Sequence, residues 1–296
     1  MKLYKNKEWL EQQFKEIGNN VQIGQLCGVS GDTIEYWRKK FNIPKSEQGK
    51  QVRRKRRLNQ DFFNTIDTEE KAYWLGFAMA DGCITRTEAN GPYNRFCFCL
   101  KGDDISHLEK LNKSLDADYP IKTKTNINKK LDFETTICEI RISSRILCDN
   151  LIRNGVVPNK TGKEILPDTV PQELIKHFIR GFFDGDGCLA KTKKIDFSCS
   201  SKFIIDSIHD YFKKELDIDF HIYESDDYSI PFYRMESNHY KNNKIVLDHL
   251  YKDATIYLDR KYNLYLDLYG SPIQWCIENN SSNCGNFLRA LFTNLS

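Results

Sequence analysis

Tyr73-Trp-Leu-Gly-Phe-Ala-Met-Ala-Asp81-Gly82-Cys83-Ile84 and Phe178-Ile-Arg-Gly-Phe-Phe-Asp-Gly-Asp186-Gly187-Cys188-Leu189 are one pattern written twice in a chain of 296 residues. The two stretches share Gly-Phe-x-x-small-Asp-Gly-Cys-apolar, and their leading glycines, Gly76 and Gly181, lie 105 positions apart. That spacing is a duplicated domain, not a tandem array of short repeats.

Each copy reads as a buried helix. Asp67 or Thr68 followed by Glu69 and Glu70 is a helix start, and the apolar run predicts a helix from about Thr68 to Asp81 that ends on Gly82 in the left-handed conformation. In the second copy Pro171 opens the run and Gly187 closes it. Gly76 with Ala80, and Gly181 with Gly185, place small residues four apart on one helical face, so two helix backbones can approach closely. The simplest partner for each face is the other. Asp81 and Asp186 then meet at the C-terminal ends of two packed helices. A carboxylate there is disfavoured by roughly 0.3–1 kcal/mol through the helix dipole, so positive charge should compensate. Paired oxygen ligands at such a place suit Mg²⁺.

Trp74 to Gly82 and Ile179 to Gly187 resemble the two motifs of a LAGLIDADG homing endonuclease of the single-chain, two-motif kind. The resemblance extends from about Asp61 to Asp267. One departure is Met79, where the first Asp of the motif usually stands; the second copy keeps it as Asp184. The resemblance implies an α+β fold of two pseudo-symmetric αββαββα halves forming a DNA-binding saddle. It also implies two or three Mg²⁺ ions shared by Asp81 and Asp186, with the backbone carbonyls of Ala80 and Gly185 as further ligands. The implied activity is a staggered double-strand break by phosphodiester hydrolysis, as in the homing of introns and other mobile elements. Because the later Asp of each motif is the family's metal ligand, Met79 is expected to alter packing and not to abolish cleavage.

Composition sets the surroundings. Forty per cent hydrophobic content supports real cores, and the net charge of +3 is unevenly spread. Residues 1 to 57 hold 14 Lys and Arg against 6 Asp and Glu, so the rest of the chain is net negative and the N-terminal end is the one to meet a polyanion. Ten cysteines with no CxxC pair and no signal peptide indicate reduced, mostly buried thiols in an intracellular, reducing compartment. No apolar run approaches the roughly 20 residues that a membrane span needs.

Before the repeat, residues 7 to 17 space Trp9, Leu10, Phe14 and Ile17 as an amphipathic helix. Val21 to Lys40 reads as helix, tight turn, helix: Gly28 makes the turn, Val29 wedges it and Ser30 caps the second helix. This resembles the helix-turn-helix of DNA-binding proteins, with Ser30, Thr33, Tyr36, Arg38, Lys39 and Lys40 available to duplex DNA. Gly24 is atypical of that motif's first helix and would cost roughly 1 kcal/mol in propensity. The run Arg53-Arg54-Lys55-Arg56-Arg57 then suits phosphate tracking.

After each motif come alternating segments and an amphipathic helix: Arg95–Lys101, 105 to 115, Ile121–Ile127 and Thr135–Ile142, then Ile195–Cys199, Phe203–Glu215, Phe220–Tyr223 and Pro231–Glu236. Their polar faces put Lys122, Lys124, Arg141 and Arg234 where a sheet in a DNA groove would need them. Both halves end on a basic residue, Lys160 and Lys261, 79 and 75 positions after the motif Asp. These match the basic residue that the family places beside its metals and are candidates to activate water or stabilise the phosphorane.

The sequence therefore predicts a helix-turn-helix domain (1–45), a basic linker (46–60), two LAGLIDADG halves (61–165 and 166–270) and a tail (271–296). The whole would act as a monomer with an internal pseudo-two-fold axis on double-stranded DNA. An RNA maturase and a regulator that has lost cleavage are the alternatives; the DNA-type helix-turn-helix argues against the first, and retention of both Asp and both Lys against the second.

Overall fold

The computed structural model describes residues 2–44, 56–128, 133–225 and 231–270. The chain divides into two compact units, residues up to Arg57 and residues from Leu58 onward.

In the first unit a short 3-10 turn precedes α1 (Lys7–Glu16), α2 (Asn20–Cys27) and α3 (Gly31–Lys40). Each helix is capped by the side chain just before it: Asn6 accepts from Trp9 N, Asn19 from Val21 N, and Ser30 from Thr33 N. Gly28 takes the left-handed turn at φ +65°, as its position predicts. The core is Tyr4, Leu10, Phe14, Ile23, Ile34 and Ile43. Gly24 is no flaw here, because a Cβ on it would lie 2.6 Å from the Val29 carbonyl oxygen, where the turn folds back on α2.

The second unit repeats one plan. Its first half is α4 (Glu69–Asp81), β1 (Cys83–Arg86), β2 (Tyr93–Lys101), α5 (Ile105–Ser114), β3 (Ile121–Asn128), β4 (Phe133–Ser143) and α6 (Arg145–Arg153). Its second half is α7 (Ile175–Asp186), β5 (Cys188–Leu189), β6 (Ile195–Cys199), α8 (Lys202–Leu216), β7 (His221–Ser225), β8 (Phe232–Ser237) and α9 (Tyr240–Tyr251), with α10 (Asp259–Tyr269) following. The expected αββαββα order holds in both halves. The strands that follow each motif, β1 and β5, were too short to stand out in the sequence. The antiparallel sheets have matching orders, β1-β2-β4-β3 and β5-β6-β8-β7.

Period-two alternation sorts each sheet into an inner and an outer face. Phe96, Phe98 and Leu100 of β2 lie opposite Ile142, Ile140 and Cys138 of β4, all buried, and Phe197 lies opposite Met235 in the second sheet. Between the halves run α4 and α7. Every residue from Ala72 to Ala80 is buried, and so is every residue from His177 to Asp184, as expected of helices surrounded by protein.

What lets these two helices touch is the pair of glycines. A Cβ on Gly76 would fall 1.9 Å from the Phe178 carbonyl oxygen, and one on Gly181 would fall 2.0 Å from that of Tyr73. The contacts are reciprocal, backbone against backbone, and no side chain fits between. Gly82 corrects the sequence reading: it is extended (φ −72°), not left-handed, and Gly187 at the end of the second copy is extended likewise (φ −75°). Glycine is required there for space, since a Cβ would lie 2.5 Å from the Ala78 carbonyl oxygen at Gly82 and 2.2 Å from the Phe183 ring at Gly187.

Gly76→Ala and Gly181→Ala should each lower unfolding free energy by more than about 3 kcal/mol in urea titrations, because the obstructing atoms are main-chain and cannot rotate away. Gly91→Ala, whose nearest neighbour would be 3.3 Å away on a Glu88 side chain, should change stability by well under 1 kcal/mol.

Candidate active site

The glycine contacts bring the C-terminal ends of α4 and α7 together. A Cβ on Gly185 would sit 2.4 Å from the Ala80 Cβ and 3.3 Å from Asp81 Oδ2, so the Asp81 carboxylate lies beside the residue that precedes Asp186. The two acids feel one another. Burial pushes the Asp186 carboxyl up to about 6, and neighbouring Asp81 and Glu164 push it the same way, while Lys160 and Lys261 oppose them. Asp81 is also raised by burial, against the pull of Lys261, Lys160 and Arg260.

Both sequence-predicted lysines reach this place, and both bind main-chain oxygens. Lys160 Nζ donates to the Ala80 carbonyl. Lys261 Nζ donates to the carbonyls of Phe183 and Gly187. They are the positive charge that the helix ends require, delivered to the orphan carbonyls of the last turn. Lys261 is not a residue at a loop end. It lies in the first turn of α10, only 4% exposed, and burial lowers its pKa to about 8 despite nearby Asp184 and Asp81. The Ala80 carbonyl, expected as a metal ligand, accepts a hydrogen bond from Lys160. Gly185 is at the helix contact, with Ala80 against it.

The donor set fits Mg²⁺. Among the described residues no cluster of three or more Asp, Glu, His or Cys converges, so the protein offers a pair of carboxylates, and the octahedron would be completed by water and by oxygens of the substrate. Glu164 lies close enough to perturb Asp186, is 5% exposed, and leaves Oε2 buried with no hydrogen-bond partner. Nothing in the sequence marks it beyond its place four residues after Lys160.

A polar lock sits behind the acids. Asp184 accepts from Tyr73 Oη (2.8 Å), Tyr251 Oη (2.6 Å) and Leu258 N (2.8 Å), tying α4, α7, α9 and the start of α10 to one carboxylate. Arg180, with no exposed surface, donates to the carbonyls of Ile256 and Leu250 and to Glu69 Oε1. Neither cluster was legible, because the partners of Asp184 lie 111, 67 and 74 positions away.

Residues 173–245 match the family described as "LAGLIDADG-like domain". The homing endonuclease I-WcaI bound to its DNA recognition sequence is similar in fold over 69% of this chain and 91% of its own, with a TM-score of 0.50 at 16% identity. This chain has the LAGLIDADG fold. The N-terminal LAGLIDADG domain of DUF199/WhiA (TM-score 0.42, 14% identity, 70% of this chain and 93% of that one) and I-DmoI in complex with DNA and Mn (0.42, 15%, 64% and 98%) are also similar. No curated protein matches the sequence. The family match takes in most of the second half, α7 included, and α4 carries the other copy of the repeat.

The expected DNA-contacting residues fare unequally. Tyr36, Lys39 and Lys40 are exposed on α3, with Lys40 Nζ 4.5 Å from the Trp37 ring centre and Lys39 loosely paired to Glu35 at 3.7 Å. Thr33 stands beside the capping Ser30. Arg38 is a correction: it is 8% exposed, grips Glu35 through Nε and Nη2, and donates from Nη1 to the Ile43 carbonyl, so it closes the end of α3 and offers nothing to DNA. Arg53, Arg54 and Lys55 lie outside the described residues, while Arg56 and Arg57 are exposed. In the LAGLIDADG unit Lys122, Lys124 and Arg141 are exposed on the outer face of the first sheet, with Arg141 bonded to Glu139. Arg234 is exposed on the second sheet but held between Asp196 (3.0 Å) and Glu236 (3.9 Å). Among the described residues the cysteines are free, as expected, yet Cys83, Cys99 and Cys188 are exposed and not buried.

The raised Asp186 sets a sign. Its folded value of about 6 exceeds its ordinary 3.8, so ionisation destabilises the fold fully above pH 6, and the effect fades as pH falls toward 4. Asp186→Asn should therefore raise Tm at pH 8, and the gain should vanish below pH 4. Mg²⁺ should raise the Tm of the unaltered chain at pH 8 and leave that of Asp186→Asn unmoved.

Proposed function

We propose that this chain is a DNA endonuclease that hydrolyses one phosphodiester in each strand of a duplex with the help of Mg²⁺. The observation that carries the reading is the meeting of Asp81 and Asp186 at adjacent helix ends, each end also bearing a lysine on its carbonyls. The LAGLIDADG-like match over residues 173–245 and the similarity in fold to a homing endonuclease bound to its DNA support it.

Bound Mg²⁺ supplies Lewis-acid polarisation of the phosphate and a water of lowered pKa. Everything else falls to the chain. Asp81 and Asp186 hold the cation site and give it its negative charge. Lys160, partly exposed, is the lysine able to reach a phosphate oxygen or an attacking water. Lys261, buried, keeps the α7 end positive and so holds Asp186 ionised near neutrality. The pair of acids explains why one chain carries the motif twice: each copy serves one strand, and a monomer suffices. The α2–α3 pair, with Tyr36, Lys39 and Lys40 outward, acts as a helix-turn-helix that adds affinity to the site, and free exposed thiols suit a reducing, intracellular compartment. Homing of an intron or mobile element is the setting in which such cutting has use.

Incubation with a randomised duplex library, followed by sequencing of broken ends, should yield staggered double-strand cuts with Mg²⁺ and none with EDTA. Asp81→Asn and Asp186→Asn should each reduce cutting at least about 100-fold while leaving duplex binding within about threefold. The rate should fall below pH 6 as Asp186 protonates and again above pH 8 as Lys261 loses its charge. Normal cutting by Asp186→Asn would sink the reading. Removal of residues 1–57 should weaken binding and flatten its salt dependence, yet leave cutting at high protein concentration.

A further inference from the structure

The two sheets share topology but not charge. On the outer face of the first, β2, β4 and β3 place Arg95, Lys101, Lys122, Lys124 and Arg141, with Glu139 as the opposing acid. Glu139 is bonded to Arg141, and no carboxylate among the described residues forms an ion pair with the other four cations.

The outer face of the second sheet is closed on itself. Arg234 lies 3.0 Å from Asp196 and 3.9 Å from Glu236, and Lys194 is bonded to Glu236, so two cations and two anions cancel. Beside them stand His221 and Tyr223, with ring centres 4.2 Å apart. The sequence repeats the contrast: residues 121–143 contain five Lys and Arg against three Asp and Glu, and residues 221–237 contain one against four.

We propose that the two halves grip the duplex unequally: of the two sheets, that of the first half supplies the phosphate contacts that add to salt-dependent affinity, and that of the second half contributes almost none. This rests on the DNA reading given above. A cation that neutralises a phosphate releases counterions, and each such contact steepens the dependence of log K on log salt by about 0.9. Four cations without an internal partner can do this at little cost. Arg234 could do so only by leaving Asp196 and Glu236, which would then repel the same phosphate.

The test uses the full-length chain and a mixed-sequence 30-base-pair duplex, followed by fluorescence anisotropy from 50 to 300 mM KCl. The substitutions lie away from the acids and lysines of the cutting site, only Asp196 being buried, and circular dichroism melts check that each variant is folded. Lys101→Gln, Lys122→Gln and Lys124→Gln combined should flatten the slope by about 2 to 3, whereas Arg234→Gln should change it by less than 0.5. Asp196→Asn with Glu236→Gln, which releases Arg234 and Lys194, should steepen the slope by about 1 to 2. If Arg234→Gln flattens the slope as much as a single lysine of the first sheet, or the triple variant leaves it unchanged while the duplex still binds, the asymmetry is wrong though the DNA reading stands. If the unaltered chain binds no duplex, the DNA reading fails and takes this inference with it.

Discussion

Everything in the second unit depends on two helix backbones meeting without side chains between them. Gly76 lies under the Phe178 carbonyl and Gly181 under that of Tyr73, so each glycine admits the turn of the other helix that precedes its partner glycine. This approach closes the interface between the halves and sets their pseudo-two-fold relation. It also forces the helix ends to converge. Asp81 and Asp186 are neighbours because the glycines five residues earlier, Gly76 and Gly181, leave the helices nowhere else to go.

That convergence has an electrostatic cost, and the fold shows how it is met. Two carboxylates at the negative ends of two helices, mostly removed from water, repel one another and the carbonyls around them. Lys160 and Lys261 answer by bonding to those carbonyls and by lowering the pKa of both acids. They come from different places in the chain, one from the segment joining the halves and one from α10. The acids nevertheless remain raised. The lysines offset part of the repulsion and leave a residue of strain that a divalent cation would relieve.

How much of this was legible follows from what each feature needs. The paired acids and small-residue faces were readable because a repeat in register marks positions under the same constraint. The longer strands were readable from alternation, which depends on local burial alone, while β1 and β5 were not. Gly82 and Gly187 were placed correctly for the wrong reason: sequence shows that glycine ends a helix, but not whether dihedral freedom or lack of a Cβ is what is used. Arg38 misled because its ion pair to Glu35 lies on its own helix, and its third bond goes to a carbonyl that is in reach only once the chain has turned at Ile43. Lys261 was found by spacing, while its burial follows from α10 packing against the motif helix, which no local pattern reports.

The departure at Met79 shows how one chain exploits duplication. Asp184 is bonded to Tyr73 across the helix interface, and the pseudo-symmetric positions hold Met79 and Phe178, both fully buried. The interface thus has one polar lock and one apolar one. Where the carboxylate is kept, the opposing ring carries the hydroxyl that satisfies it; where methionine replaces the carboxylate, the opposing ring is phenylalanine. Either mismatch would strand a buried polar group: Asp184 facing Phe loses one of its three donors, and Tyr facing Met79 has a hydroxyl with no acceptor there. A homodimer built from one repeat would have to use the same lock twice. Two copies on one chain remove that requirement, and the same freedom allows one sheet to carry unpaired cations while the other neutralises its own.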